Sequence, residues 1–168
     1  MSDTKNIKIG KEVIQIEAQA VLAISDRIDK QFDSAVSSIL GCTGRLIVLG
    51  VGKSGLISQK IASTMASTGT PAHFVHPGDA FHGDLGMITK NDVVLMISNS
   101  GETHELIQII SSIRKKNVPI IGMVGKENST IYNGVDFILD TSVEKEACTL
   151  DLAPTASTTA TLAMGDAL

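Results

Sequence analysis

The stretch Arg45-Leu-Ile-Val-Leu-Gly-Val-Gly-Lys-Ser-Gly55 limits this chain to few folds. Its branched apolar run, Leu46 to Leu49, predicts a buried parallel strand. The run ends in Gly50, Gly52 and Gly55, with Lys53 and Ser54 between them. Beyond it Leu56, Ile57, Ile61, Ala62 and Met65 fall at helical spacing. Strand, glycine turn and helix in that order aim free backbone N–H groups and a positive helix end at one point. An anion, usually a phosphate, fits there. Lys53 adds a mobile positive charge, and Ser54 adds a hydroxyl.

Three chemistries compete for this turn. A P-loop needs a glycine five residues before Gly52, where the chain has Ile47. A dinucleotide fingerprint is met by Gly50, Gly52 and Gly55. It also wants an acidic residue about twenty positions later, and Thr70 to Pro77 holds none. A sugar-phosphate site needs a second hydroxyl-rich loop nearby. The plain alternative is a glycine turn that serves tight packing only.

A length of 168 residues suits one domain with a full core. The net charge of −4 offers no basic surface for nucleic acid, and 3% aromatic residues offer no stacking platform for bases. The apolar runs are too short to span a membrane, and Met1-Ser-Asp-Thr-Lys-Asn lacks a signal-peptide pattern, so the expected location is the cytoplasm. Cys42 and Cys148 suggest neither a disulfide framework nor a zinc motif, and both read as small buried hydrophobes. No metal is expected.

Lys8 to Ile39 is helical by pattern. Val13, Ile16, Ala20, Ile24 and Ile28 form one apolar face, and Ala35, Val36 and Ile39 resume it after a break near Asp29–Asp33. Gly41 fits the C′ position. This helix either covers one sheet face or packs on a partner subunit. Further strands are predicted at Ala72 to Val75, Val93 to Ile97, Pro119 to Val124 and Val135 to Asp140. Helices are predicted from about Glu102 to Lys116 and from Pro154 to Leu168, with the proline in the first turn. The alternation implies an α/β fold, a parallel sheet covered on both faces. Ligands then bind beyond the carboxyl ends of the strands, so the loops after strands one, two, three and five are the ones to search.

The loop after strand three, Ser98-Asn-Ser-Gly-Glu-Thr103, carries three hydroxyls, an amide and a turn glycine before a helix. It is a second candidate anion cradle, with Ser100 as a mere helix N-cap the alternative. The loop after strand two holds His76, Asp79, His82 and Asp84 at no standard zinc spacing. His82, beside Gly83 at the ligand end, points to chemistry. His76, before a proline, reads as structural.

Together several blocks carry a resemblance: Gly50-Val-Gly-Lys-Ser-Gly55, Ser67-Thr-Gly-Thr-Pro71, His76-Pro-Gly78, His82-Gly-Asp-Leu-Gly86, Ser98-Asn-Ser-Gly-Glu102, Lys145-Glu-Ala-Cys148, Leu152-Ala-Pro-Thr155 and Ser157-Thr-Thr-Ala-Thr161. In this order they resemble the sugar isomerase (SIS) domain of bacterial D-arabinose-5-phosphate isomerases. The resemblance implies a three-layer sandwich around a five-stranded parallel sheet, a flavodoxin-like SIS fold. It also implies a homotetramer with active sites between subunits. The implied reaction interconverts D-ribulose 5-phosphate and D-arabinose 5-phosphate without a cofactor, supplying 3-deoxy-D-manno-octulosonate (KDO) for lipopolysaccharide or capsule. Family members continue into a Ser-His-Pro-Gly-Gly segment with an active-site His, and most add a pair of CBS modules. The chain ends at Leu168, so the expectation is a single SIS domain over 1–168 with its last helix cut short.

The implied catalytic residues are Lys53, His82, Glu105 and Glu146, and the implied phosphate ligands are Gly52, Ser54, Ser98, Asn99, Ser100 and Thr103. Lys53 would hold the phosphate or an oxyanion. Glu146 or Glu105 would be the base, and His82 would shuttle protons or open the sugar ring. Sequence alone leaves these roles undivided, and a surface carboxylate favoured by the helix start is the plain alternative for Glu105. Two other functions fit the same loops: a sensor that binds a sugar phosphate without changing it, and an SIS isomerase for another ketose phosphate.

Overall fold

Strand β1, Leu46–Gly50, is buried along its whole length. The computed structural model describes residues 2–81, 84–150 and 152–168, so His82 lies outside the described residues. Strand β1 is flanked in parallel by β2, Ala72–Val75, and β3, Val93–Ser98, with Leu46 opposite both Ala72 and Val93. β4, Ile120–Val124, lies next to β3, and β5, Phe137–Asp140, forms the far edge. The order β2-β1-β3-β4-β5 is the five-stranded parallel sheet that the alternation predicts. The chain winds outward from β1 to β2, then returns past β1 to β3. Winding therefore reverses between β1 and β3, and a crevice opens beyond their carboxyl ends. The two hydroxyl-rich loops follow these two strands.

Alternation along each strand divides the core between two faces. Leu46 and Val48 pack with Ile24 of α1 (Ser2–Ser25), Ala35 and Ile39 of α2 (Lys30–Leu40), Ile61 and Met65 of α3 (Gly52–Ser67), and Ala160 and Met164 of α7 (Ala156–Ala167). Ile47 and Leu49 face the other way, toward Leu106, Ile109 and Ile113 of α5 (His104–Arg114) and Ile131 of α6 (Thr130–Gly134). The short helix α4, Pro77–Phe81, follows β2. The result is the expected helix–sheet–helix sandwich.

Local expectations shift in several places. The break between the first helices falls at residues 26–29, where Asp29 caps α2 by accepting the Gln31 N–H at 2.8 Å. Because α1 stops at Ser25, Ile28 leaves the apolar face and is 42% exposed. Gly41 does end α2, but with right-handed backbone (φ −79°) rather than the left-handed C′ conformation. Pro154 precedes the N-cap Thr155 and so stands outside α7. Cys42 and Cys148 are half-buried rather than buried.

Candidate functional site

The first turns of two helices and the loop that leads into a third line one cavity of about 440 Å³. That size lies within the roughly 300–1,000 Å³ of small-molecule sites. α3 supplies Lys53 and Ser54, the loop before α5 supplies Asn99, Ser100 and the N-cap Thr103, and α7 supplies Ser157 and Thr158.

The turn into α3 exists because two glycines let helix and strand touch. A Cβ on Gly50 would collide with Ser58 Oγ, and one on Gly55 would lie 2.9 Å from Gly50 O. Gly52 sits between them with φ +59°, a conformation costly for other residues. The N-cap is Val51, whose side chain accepts no hydrogen bond. The first amides of α3 are therefore left for a ligand. Lys53 is exposed, lines the cavity and forms no ion pair among the described residues.

The loop after β3 reaches the same condition differently. Ser98 is 2% exposed, and its Oγ accepts the Gly101 N–H at 3.0 Å while sharing a 2.7 Å hydrogen bond with Thr103 Oγ1. Ser98 thus braces the loop instead of lining the cavity, against its expected place as a direct phosphate ligand. Thr103, not Ser100, is the N-cap of α5, and its hydroxyl is engaged by Ser98 rather than by the helix. The first turn of α5 is again uncapped. Ser100 Oγ accepts the Glu102 N–H at 3.2 Å and faces the cavity, so it is no helix cap.

The third helix start is already occupied by an anion. Glu146 Oε2 accepts Thr155 N–H at 2.8 Å, Thr155 Oγ–H at 3.1 Å and Ser157 N–H at 3.2 Å. Burial pushes the Glu146 carboxyl up, but the donors of Ser157 and Thr155 outweigh it and hold the group below its ordinary value. No hydrogen bond falls on Oε1 among the described residues, so one oxygen is anchored while the other remains available. One cavity wall therefore combines two uncapped helix starts, a lysine and an anchored carboxylate.

Of the four expected catalytic residues the structure gathers Lys53 and Glu146. Glu105 is exposed in the first turn of α5, beside the buried stripe of Leu106, Ile109 and Ile113 and off the cavity wall. Sequence reasoning gave no role to Thr155, which holds Glu146, or to Ser157, which is 1% exposed and donates its N–H to the same carboxylate. The only signal was the density of hydroxyl residues at the start of a helix. Leu152, Ala153 and Pro154 close the cavity edge. Among the described residues no three His, Cys, Asp or Glu side chains gather as a metal site.

Fold and site define a doubly wound α/β domain with a polar cavity at its switch point. The chain belongs to the SIS domain family, whose model matches residues 39–168. It is 50% identical over 159 residues to the arabinose 5-phosphate isomerase KdsD of Escherichia coli K12, covering 95% of this chain and 48% of that protein. A probable arabinose 5-phosphate isomerase of Haemophilus influenzae is 46% identical over 162 residues, with 96% and 48% covered. The chain thus spans about half the length of the curated relatives it matches. Among solved structures, c3406 of Escherichia coli CFT073 in complex with arabinose 5-phosphate superposes with a TM-score of 0.93 at 40% identity, over 99% of this chain and 89% of that one.

Proposed function

We propose that this chain is an aldose–ketose isomerase that interconverts D-ribulose 5-phosphate and D-arabinose 5-phosphate through an enediolate. The gathering of two uncapped helix starts, Lys53 and Glu146 around one cavity carries this proposal. The uncapped starts of α3 and α5, with Ser54, Asn99 and Ser100, suit a phosphate dianion. Glu146 lines the same cavity and supplies a carboxylate for proton transfer on the carbon chain. KdsD, and c3406 with its bound arabinose 5-phosphate, point to the same substrate.

The reaction moves one proton from C2 of the aldose to C1, and one from O2 to O1. Glu146 Oε1 takes and returns the carbon-bound proton. Lys53 offsets the charge that develops on the enediolate oxygen. His82 is assigned the oxygen-to-oxygen shuttle or the opening of the furanose form. A role for Glu105 would require the cavity of a neighbouring subunit. A sensor would need the phosphate half of the cavity only, whereas this cavity also holds a lysine and a carboxylate.

The decisive experiment incubates purified protein with D-arabinose 5-phosphate in D₂O and follows it by NMR. Formation of the ketose, with deuterium entering the carbon skeleton, is the expected result. Turnover of another sugar phosphate alone would change the substrate, and binding without turnover would make the protein a sensor.

The product would feed KDO synthesis for lipopolysaccharide or capsule, in the cytoplasm. Among the described residues no helix is long and apolar enough to cross a membrane. A homotetramer is proposed from the family resemblance, and exposed apolar surface supports association. Ile7, Ile14 and Leu22 line the outer side of α1 at 57%, 66% and 68% exposure, and Leu152 at the cavity edge is 82% exposed. Light scattering should give four times the chain mass, and a stable monomer with full activity would refute shared sites.

A further inference from the structure

The loop after β4, residues 125–129, was not among those expected to matter, yet the phosphate loop 98–103 rests on it. Asn99 packs so closely on Gly125 that any Cβ there would collide with its side chain. Gly101, with φ +65°, leaves no room for a Cβ beside Ser129, and its carbonyl accepts the Ile131 N–H at 3.0 Å. Glu102 completes the seam. Its Oε1 accepts the Thr130 N–H and its Oε2 the Thr130 Oγ–H, both at 2.8 Å.

On the inner side, Ser98 holds the loop. Gly101 is in the left-handed region, and a glycine there gives the chain freedom to leave its conformation. The outer contacts remove that freedom, and Glu102 supplies two of their hydrogen bonds from a side chain. Those bonds also hold its carboxyl below the ordinary value, so it is ionised at neutral pH. Glu102 does not line the cavity.

We infer that Glu102 is a positioning residue: by clamping Thr130 it fixes the backbone that presents Asn99 and Ser100 to the phosphate group of the substrate. The inference rests on the phosphate assignment proposed above. Because Glu102 is exposed, its contacts add little to global stability. Their effect falls on the loop.

Steady-state kinetics with D-arabinose 5-phosphate, and with inorganic phosphate as competitive inhibitor, test this. Glu102→Ala should raise both KM and the phosphate Ki by about ten- to a hundredfold, with kcat within about threefold of the parent. Glu102→Gln can offer its carbonyl to the Thr130 N–H and its amide to Thr130 Oγ, so it should restore both constants to within about threefold. An unchanged KM and Ki in Glu102→Ala, a loss confined to kcat, or a Gln variant as impaired as the Ala variant would each overturn the inference. If Glu102→Ala does not fold, Thr130→Val removes one of the two bonds and should raise both constants about tenfold. No change there would equally overturn it. Ser100→Ala separates this inference from its foundation. If Ser100→Ala also leaves KM and Ki unchanged, the phosphate assignment itself falls; if it raises them and Glu102→Ala does not, only the clamp falls.

Discussion

Replacing Glu146 by Gln is expected to lower kcat by about 10²–10⁴, the usual worth of a positioned acid–base group, with KM little changed. The geometry makes this variant unusually clean. All three donors fall on Oε2, where the glutamine carbonyl can sit and keep them. The amide then replaces Oε1, the oxygen without a partner among the described residues, and only proton affinity is lost. Glu146→Ala would instead also release the start of α7. Depression of the carboxyl sets the pH dependence. The base stays ionised to below its ordinary value of 4.5, so the acid limb of kcat/KM governed by this group should lie beneath it. Glu146 also contributes stability above the ordinary glutamate range, lost as pH falls through the depressed value. Glu146→Gln should abolish that share of the acid sensitivity. A variant with near-normal turnover would move the base elsewhere.

Lys53→Met should lower kcat/KM by about 10²–10³, as expected for loss of one group that stabilises a developing oxyanion. Lys53 stands at the second position of α3, on the cavity wall, and no carboxylate neutralises it among the described residues. Its charge is therefore available to a ligand. The two expected duties separate in kinetics. A lysine that stabilises the enediolate shows its loss in kcat and leaves the inhibition constant for inorganic phosphate within about tenfold. A lysine that only holds the phosphate weakens phosphate inhibition and raises KM. The second pattern would place Lys53 with Ser54 and Ser100 in the phosphate half. Arginine is a poor substitute in either duty, because its planar fork presents charge differently from a mobile ammonium.

The sequence by itself determined what is local. Gly50, Gly52 and Gly55 require a turn in which strand and helix touch, and that is how α3 leaves β1. Hydroxyls and a glycine after β3 predict a second polar turn ahead of a helix, and the alternation of apolar runs predicts five strands with helices between them. Such features reside in dihedral preference and periodicity, which act over a few residues. Tertiary structure decided the rest. Which strand neighbours which depends on packing across the whole sheet, and this order places the winding reversal between β1 and β3. Helix periodicity showed that Glu105 is helical. That its side chain falls off the cavity wall depends on how α5 docks through Leu106, Ile109 and Ile113. Ser98 and Ser100 look alike in sequence, yet one is buried as a brace and the other faces the cavity, because only the folded loop brings Thr103 and Gly101 onto Ser98. The anchoring of Glu146 by Thr155 and Ser157, and of Glu102 by Thr130 across 28 residues, was not legible at all. Hydrogen bonds between separate loops leave no period in a sequence; they exist only once the sheet has set those loops side by side.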